Sequence, residues 1–410
     1  MNNNELIPHL FRTEYSKIVS VLCKRYGLAN IELAEDFVSD SFLKAAETWK
    51  LKGIPDNPGA WLYTVSKNNA KDYFKRNDLF HSILEKEKSK SIEFENIEID
   101  LSENNIQDSQ LKMLFAICNP LNSNESQIAL ALRILCGFGI DEIANALLSS
   151  KQTINKKLFR AKEKLRVNKV DLSFPLKAEL DQRLENVLHI LYLLFNEGYY
   201  SRTGASALSK DICFEAMHLL HILTENEKTN LPKTNALMAL FCFHASRFEA
   251  RTDENGQVIL YDDQDKSKWD FELIRKGEYY LQRSADRTGF SKYHLETLIA
   301  YWHSRSEINP KEKWDRILQI YNRLLQIEYS PVTALNRTFA LSMVKGKEIA
   351  LEQALKIELK DHHLYHSLLA DLYSETNESK QIEHLEIALT LAEMDRDKVV
   401  LRRKLREVGV

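Results

Sequence analysis

Amide and basic side chains between residues 151 and 160 form the densest group in the chain with a recognisable chemistry. Amides such as Gln152 and Asn155 can hydrogen-bond to the edges of DNA bases, and cations such as Lys156 and Arg160 bind phosphate oxygens. The full set is Lys151, Gln152, Thr153, Asn155, Lys156 and Arg160. The pattern predicts recognition of duplex DNA, although a charged helix face of this kind can also be an ordinary solvated surface.

A helix-turn-helix is the element that would present this group. Two stretches with apolar residues at helical spacing flank a break at Ser149 and Ser150. The apolar residues are Ile140, Ile143, Ala144 and Leu147 in the first stretch and Ile154, Leu158, Ala161 and Leu165 in the second. One buried stripe on the second helix leaves the amides and cations on its other faces, so its N-terminal end is expected to enter a major groove.

Composition and periodicity predict an all-α protein of two or three domains. The chain has 410 residues and 44% apolar content, but only 12 Gly and 8 Pro. Helical periodicity recurs along most of the chain, while alternation of apolar and polar residues is scarce. The net charge of −3 conceals basic clusters at residues 67–76 and 151–169. Phosphate binding is therefore expected to be local.

The cysteines and the N-terminus predict a soluble cytoplasmic protein. The five cysteines lie in apolar helical contexts without Cys-x-x-Cys spacing, which predicts buried, reduced thiols. They are Cys23, Cys118, Cys136, Cys213 and Cys242. The sequence has neither a signal-peptide pattern nor a run of about 18 apolar residues, so no association with a membrane is expected.

Shifts in composition divide the chain into five segments. Residues 1–80 have amphipathic helical patterns, and residues 81–108 are acidic and polar, which predicts a flexible linker. Residues 109–170 end in the helix-turn-helix pattern. A helical domain is expected over residues 175–305, and a faint repeat over residues 306–410 favours tetratricopeptide-like hairpins.

Two motifs in the first half resemble a bacterial RNA polymerase sigma factor. Residues 34–45, followed by the spacing of Trp61, Asn68, Asp72 and Arg76, resemble sigma region 2. The helix-turn-helix, at about the expected distance, resembles sigma region 4. The short connection leaves no room for a region 3 domain, which resembles the extracytoplasmic-function (ECF) group.

Motifs in the second half resemble an ECF subfamily with a long C-terminal helical extension that carries tetratricopeptide repeats. The matching segments are residues 114–120, 191–199, 236–247 and 261–269. Lys266 stands where Arg is usual in that subfamily, and Asn119 stands where His is expected. These departures leave the inferred promoter contacts untouched and put only details of the extension in doubt.

The resemblance implies three binding surfaces in the first half of the chain. Asp36, Asp40 and Phe42 would dock on core RNA polymerase, although the acids could be ordinary surface charges and Phe42 could belong to the core. The six residues named at the outset would recognise the minus-thirty-five promoter element. Unstacked bases of the minus-ten element need apolar surfaces and cations. The residues implied there are Lys52, Asn57, Lys67, Asn68, Lys71, Lys75 and Arg76.

The aromatic residues of the same segment are expected to divide between core and surface. Trp61 is predicted to be a core anchor, because it recurs in helical phase with Val65. Tyr63 and Tyr73 are predicted to be solvent-exposed aromatics.

Polar residues of the extension could line a cleft for a small ligand, a metal or a docking partner. They are Glu197, His244, Arg247, Asp262, Asp263 and Asp265. Simpler interpretations exist: residues 196–198 could be a helix end, His244 a hydrogen-bonded core histidine, and Asp262 with Asp263 a turn. We expect no metal and no cofactor. The sequence has no nucleophile arrangement, Gly-rich phosphate loop or His-Glu-x-x-His motif, which argues against an enzyme.

Two functional hypotheses follow. In the first, the chain is a sigma factor that binds core RNA polymerase and promoter DNA, and its extension controls its activity, with or without a protein or small-molecule regulator. In the second, it is a helix-turn-helix regulator with a tetratricopeptide-like interaction scaffold that acts without polymerase. Residues 34–76 discriminate between them, because such a regulator has no need of that segment.

Overall fold

The computed structural model describes residues 3–84, 100, 102–200, 207–253, 259–285, 290–305 and 309–409. These residues form eighteen α-helices and no β-strand, which confirms the predicted all-α class. They divide into two compact units. The N-terminal unit comprises Met1–Gly198 and Phe214–Glu225, and the C-terminal unit comprises Tyr199–Cys213 and Asn226–Val410.

Nine helices cover the described residues up to 225. They are α1 (Asn3–Tyr26), α2 (Ile31–Lys52), α3 (Pro58–Leu84), α4 (Glu103–Ile117), α5 (Asn124–Leu130), α6 (Ile140–Ala146), α7 (Lys151–Val167), α8 (Leu180–Tyr199) and α9 (Ala207–Glu225). We call helices α1 to α3 the first module and helices α4 to α7 the second module. Helices α3 and α4 occupy both ends of the predicted linker, of which residues 85–99 and 101 lie outside the described residues.

The first module packs its three helices around apolar side chains that are spaced three and four residues apart. Val38, Trp49 and Leu62 are buried in this core. The ring of Trp49 meets that of Trp61 edge-on at 5.4 Å, in agreement with the predicted anchor role of Trp61. Helix α2 ends at Gly53, whose φ of 85° suits a glycine and whose N–H donates to the Trp49 carbonyl at 3.1 Å.

The second module buries the stripe of α7 that its periodicity predicts. The exposed fractions are 0% for Ile154, 4% for Leu158, 2% for Ala161 and 2% for Leu165. In the turn before α7, Leu148 adopts a φ of 45° and the Ser149 N–H donates to the Ala144 carbonyl at 2.9 Å. Ser150 then caps α7, because its Oγ accepts from the Thr153 N–H at 3.1 Å. The break therefore lies where the sequence predicts it.

Helix α8 extends the core of the second module. Arg183 donates from Nη2 to the carbonyl oxygen of Phe115 at 2.5 Å. Asn186 donates to the carbonyl oxygen of Cys118 and to Oε1 of Gln127, both at 2.9 Å. These bonds satisfy buried backbone and side-chain acceptors of the second module, so α8 belongs structurally to that module.

The remaining nine helices lie in the C-terminal unit. They are α10 (Pro232–Ala245), α11 (Phe271–Arg283), α12 (Lys292–Ser304), α13 (Pro310–Ile327), α14 (Pro331–Lys345), α15 (Lys347–Ala354), α16 (His363–Tyr373), α17 (Glu378–Leu391) and α18 (Asp395–Glu407). From α12 onward each helix packs on the next. Ile317, Leu335 and Leu369 belong to an apolar cluster that joins α13 to α16, and Leu385 and Leu401 belong to a second cluster around α17 and α18. The tetratricopeptide-like character of this series stays a prediction.

The crossing of α10 and α11 depends on Gly277. A Cβ atom at this position would lie 2.7 Å from the ring of Phe243, which is 1% exposed. We expect Gly277→Ala to lower the free energy of unfolding by about 1–3 kcal/mol, because the ring has no room to move away. Urea denaturation of the full chain measures the change.

Gly59→Ala in α3 is the matched control for this substitution. The nearest atom to its Cβ would be Oδ1 of Asn57 at 3.7 Å, an ordinary contact. Since alanine favours a helix over glycine by up to about 1 kcal/mol, this variant should be neutral or more stable. Equal stability of the two variants would show that the α10–α11 crossing can widen.

Candidate nucleic-acid interface

The residues predicted to contact duplex DNA form one exposed face of α7. All six of them are exposed: Lys151, Gln152, Thr153, Asn155, Lys156 and Arg160. Within the described part of the chain, Lys156 and Arg160 form no ion pair. Lys151 pairs with Asp141 at 2.7 Å, but both side chains are more than 60% exposed. A surface pair of this kind contributes little energy and can be exchanged for a phosphate contact.

The N-terminal end of α7 adds backbone donors to this face. Ser150 satisfies the Thr153 N–H, and the hydroxyls of the two residues lie 2.8 Å apart. The amides of the first turn carry the positive end of the helix dipole, which favours a phosphate group. No acidic residue lies in this first turn. The end of α7 therefore suits contact with a DNA backbone.

Other cations of α7 stabilise the fold. Lys157 forms an ion pair with Glu125 at the start of α5, with 2.8 Å between Nζ and Oε2. The side chain of Lys162 is 14% exposed and pairs with Glu35 of the first module. Lys162 lies outside the apolar stripe of α7, yet the structure places its side chain largely in the interior. The structure thus separates cations that hold the fold from those that face solvent.

The residues predicted for the minus-ten element lie at the end of α2, in the loop after it, and along α3. Lys52, Asn57, Asn68, Lys75 and Arg76 are exposed, and Lys67 with Lys71 are half-buried. Oδ1 of Asn57 accepts from the Ala60 N–H at 3.0 Å, so this side chain caps the start of α3. Asn68, Lys75 and Arg76 face solvent along α3, and Lys52 does so at the end of α2.

Three exposed apolar side chains beside these surfaces escaped the sequence reasoning. Leu51 in the last turn of α2 is 86% exposed, Ile54 in the loop before α3 is 42% exposed, and Phe159 on α7 is 61% exposed. Phe159 follows the buried Leu158 and lies outside the apolar stripe of α7, so the helical periodicity could have predicted that it is exposed. Exposed apolar surface next to cations is what stacking with unpaired bases requires.

The two tyrosines of α3 have different environments. Tyr73 is 42% exposed, which confirms its predicted surface position. Tyr63 is 7% exposed, so the prediction of a solvent-exposed aromatic was wrong. Burial raises the pKa of Tyr63, and the charge of Glu14 raises it further. The reason is phase, because Tyr63 follows the buried Leu62 into the contact between α1 and α3.

The prediction of an exposed position was also wrong for one residue of the polymerase-binding surface, Phe42. Phe42 is 5% exposed and packs edge-on against Phe11 at 4.9 Å. Leu43, the next residue, is 64% exposed and shares the helix face of Asp36 and Asp40. Burial raises the pKa of Asp36, as do Glu35 and Asp40. The exposed face of α2 therefore carries Asp36, Asp40 and Leu43. Its apolar residue is Leu43, which directly follows the predicted Phe42.

The two modules pack against each other through a buried carboxylate. Glu35 on α2 is 6% exposed in its side chain and accepts hydrogen bonds from three residues across this contact or beside it. Nε of Arg133 lies 2.9 Å from Oε1, the hydroxyl of Tyr15 lies 3.1 Å from the same oxygen, and Nζ of Lys162 bonds to Oε2. Burial raises the pKa of Tyr15, so its hydroxyl stays protonated and donates. We call these four residues the Glu35 cluster.

Two further ion pairs join the modules. Nη2 of Arg12 lies 2.6 Å from Oε1 of Glu142, and its guanidinium lies 4.2 Å from the centre of the Phe138 ring. Nζ of Lys24 lies 2.6 Å from Oδ2 of Asp108. The sequence predicts two modules on a flexible linker and does not predict this packed arrangement. None of the thirteen predicted DNA-contacting residues is buried by it.

The polar residues predicted for a cleft in the extension do not all meet. His244 and Arg247 lie together next to Tyr199: the rings of His244 and Tyr199 are 4.7 Å apart, and Arg247 donates to the Tyr199 hydroxyl at 3.2 Å. Asp263 pairs with Arg403 at 3.1 Å, and Asp265 accepts from the Ser267 N–H at 2.9 Å. These acids are exposed, as is Asp262, while Glu197 is an exposed residue of the N-terminal unit.

The described segments also show the state of the cysteines, of metal-ligating side chains and of long apolar helices. All five cysteines are buried, as predicted. No group of His, Cys, Asp or Glu side chains there has the arrangement of a metal site. Among the helices that the structure describes, none combines the length and the apolar content needed to cross a membrane.

Comparison with known proteins gives two family matches and one relative. Residues 10–80 match Sigma-70 region 2, and residues 183–285 match a family of unknown function, DUF6596. The chain is 31% identical over 347 residues to the uncharacterized protein R00370 of Rhizobium meliloti (strain 1021), which covers 84% of this chain and 82% of that protein. No solved structure matches.

Proposed function

The chain belongs to one family with the Rhizobium protein and carries a sigma-70 region 2, and from this premise we propose that it is an ECF-type sigma factor controlled by its own C-terminal extension. Sigma-70 family factors direct RNA polymerase to promoters and are not enzymes. The observation that carries the proposal is the exposed basic face of α7, where Lys156 and Arg160 form no ion pair among the described residues, in the same unit as the region 2 match. Polymerase and promoter DNA are the partners, and the cytoplasm is the expected location.

We assign the minus-thirty-five element to α7. Lys156 and Arg160 are exposed cations one helical turn apart, and Gln152 lies one turn before Lys156. An amide reads adenine and a guanidinium reads guanine in the major groove, while lysine also contacts phosphates. The buried stripe on the opposite side holds the helix against α5 and α6, so that only this face meets DNA.

We assign the minus-ten element to the loop after α2 and to α3. Leu51 and Ile54 offer apolar surface, and Lys52, Lys75 and Arg76 offer charge within the same exposed region. Capturing flipped bases requires stacking surface and cations for the freed backbone. The acidic face of Asp36, Asp40 and Leu43 is the proposed docking surface for core polymerase.

The packed N-terminal unit must open before both promoter elements can be bound. The two elements are named for positions about 25 base pairs apart, which is about 85 Å along B-form DNA at about 3.4 Å per base pair. A compact body of about 210 residues has a radius of gyration of about 17 Å and therefore a diameter of about 45 Å. We infer that the Glu35 cluster holds a closed state, and that the modules separate on polymerase.

Control by the extension is supported by the position of α8. The DUF6596 match begins at residue 183, and Arg183 and Asn186 hydrogen-bond to the second module. The first helix of the extension is thus built into the module that carries α7. We infer that a signal received by the extension acts on that module through α8. Tetratricopeptide-like pairs among α13 to α18 would suit a protein regulator.

A helix-turn-helix regulator that acts without polymerase is the weaker hypothesis. Residues 10–80 match sigma-70 region 2, and such a regulator has no need of that module. Under that hypothesis α7 would still bind DNA, but core polymerase would make no difference to the footprint.

In vitro transcription on genomic templates tests the proposal. We expect the full chain, added to core RNA polymerase, to produce defined start sites that the core alone does not use. Replacing Asp40 by Arg should lower binding to core by about tenfold or more, because it reverses a charge at the centre of the docking face. Co-purification with core measures this step.

Asp56→Arg is the matched control for polymerase binding, because Asp56 is exposed but lies in the loop before α3. No new start site on any template would refute the sigma-factor proposal. Truncation between α7 and α8 is not a suitable test, because it removes Arg183 and Asn186 from the core of the second module. Loss of activity would then reflect misfolding.

A further inference from the structure

Three cations of the C-terminal unit lie around two tyrosines without an acidic partner among the described residues. They are Arg247 after α10, Arg251 in the following turn, and Lys313 on α13. Nη2 of Arg247 donates to the hydroxyl of Tyr199 at 3.2 Å, and Nζ of Lys313 donates to the hydroxyl of Tyr261 at 2.9 Å. All three are at least partly buried. Partly buried cations are normally paired with carboxylates.

Tyrosine rings hold the cations close to one another. The guanidinium of Arg251 lies 3.7 Å from the centre of the Tyr199 ring, and that of Arg247 lies 5.5 Å from the Tyr261 ring. Nζ of Lys313 lies 4.6 Å from the same Tyr261 ring. Arg247 and Lys313 therefore share one aromatic neighbour. Cation–π contacts compensate only part of the repulsion between them.

The electrostatic consequence is visible at Lys313. The pKa of Lys313 is lowered to about 8, mainly by burial and in part by the charges of Lys266 and Arg247, against the opposing charge of Asp262. Asp262 is exposed and forms no ion pair with Lys313. Among the described residues, the protein thus assembles positive charge here that the exposed Asp262 opposes only in part. A bound anion would supply the missing charge.

Two buried ring nitrogens without a hydrogen-bond partner among the described residues lie at the same place. Nδ1 of His303 and Nε1 of Trp269 are buried and have no hydrogen-bond partner in the described part of the chain. Both rings pack against Tyr261, with centroid distances of 5.0 Å for His303 and 6.1 Å for Trp269. Burial, with the charges of Lys313 and Arg247, lowers the pKa of His303 to about 3, so its ring is neutral. The indole N–H of Trp269 is a donor in any case. A buried donor without an acceptor is costly, which is a reason to expect a ligand.

We propose that Arg247, Arg251, Lys313 and the rings around Tyr261 form a binding site for an oxyanion of the phosphate type. A tetrahedral dianion accepts several hydrogen bonds and pairs with more than one cation at once, as this arrangement requires. A metal ion is excluded by the positive charge of the site. All of these residues belong to the C-terminal extension, so the ligand would be a signal that the extension binds.

Titration calorimetry of the full chain tests this site directly. The probes are inorganic phosphate, glycerol 2-phosphate and succinate, at an ionic strength held constant with sodium chloride. We expect saturable binding of inorganic phosphate or of the monoester. Tighter binding of the monoester would identify a phosphorylated small molecule as the source of the anion, and tighter binding of inorganic phosphate would identify the free ion.

Variants locate the binding. Lys313→Gln and Arg247→Gln should each weaken it by about 10- to 100-fold, which is the loss of a hydrogen bond to a charged group. Lys311→Gln is the matched control, because Lys311 is exposed on the same helix. Its affinity should equal that of the wild type. Thermal unfolding followed by circular dichroism checks that the variants fold.

Three results would overturn the proposal. One is the absence of saturable binding of either phosphate probe by the wild-type chain, a result that does not depend on any variant. Another is binding of succinate as tight as that of phosphate. The third is unchanged affinity in both folded variants. The titration contains no polymerase and no DNA, so its failure would leave the promoter proposal intact.

Discussion

Replacing Glu35 by Ala should lower the free energy of unfolding of the N-terminal unit by about 3–5 kcal/mol. The substitution leaves Lys162 and Arg133 largely buried, with side chains 14% and 21% exposed, and takes away their shared carboxylate. The cost is that of burying charges without a partner, rather than the net value of the ion pairs. Urea denaturation followed by circular dichroism measures this change as a lower midpoint of the transition assigned to the N-terminal unit.

Glu32→Ala is the control for this loss. Glu32 lies one turn earlier on α2, is exposed, and has no ion pair among the described residues. Its replacement should change stability by no more than about 0.5 kcal/mol. If Glu35→Ala cost no more than Glu32→Ala, the modules would not be held together by the Glu35 cluster, and the closed state inferred above would lose its basis.

Replacing Lys156 and Arg160 by Ala should abolish the upstream half of the promoter footprint. Each base contact in the major groove is worth about 1–3 kcal/mol, which corresponds to about 10- to 100-fold in affinity. Both side chains are exposed and make no ion pair within the described residues, so their removal should cost the fold little. DNase footprinting of the polymerase complex on a promoter found by transcription measures the effect.

Salt dependence separates the roles of the two residues. A variant that loses a phosphate contact should bind all sequences more weakly and reduce the salt slope by about one. A variant that loses a base contact should instead relax specificity at one position of the element. Comparison of each single variant on wild-type and mutated promoters distinguishes the two cases.

Arg166→Ala is the matched control on α7. Arg166 lies in the last turn and pairs with Glu163, away from the end that is expected to enter the groove. Its footprint should resemble that of the wild type. An unchanged footprint in the double variant Lys156→Ala and Arg160→Ala would show that the recognition face is elsewhere.

Local periodicity was sufficient for much of the candidate site. The apolar stripe of α7, the break at Ser149 and Ser150, and the exposure of the six predicted residues agree with the structure. These features follow from interactions within a few residues, namely the 3.6-residue repeat and the cap of Ser150. The same reasoning selected Phe42 in place of Leu43, because the two apolar residues are adjacent and apolar character alone does not define which of them faces solvent.

Some assignments required knowledge of neighbours far along the chain. Lys157, Lys162 and Arg160 are alike as cations on one helix, yet two of them have distant carboxylate partners. Lys162 and Glu35 are separated by 127 residues. Periodicity carries no information about such pairs, so the sequence could not distinguish a structural cation from one that is free for DNA.

The sequence by itself determined the helical class, the positions of the N-terminal helices and the basic face of α7, because each of these depends on residues close together in the chain. Only the tertiary structure decided that the two modules pack around Glu35, that α8 completes the second module, and that Arg247, Arg251 and Lys313 meet. These contacts join segments about 50 to 130 residues apart, and side-chain packing in three dimensions, rather than any repeat in the sequence, selects them.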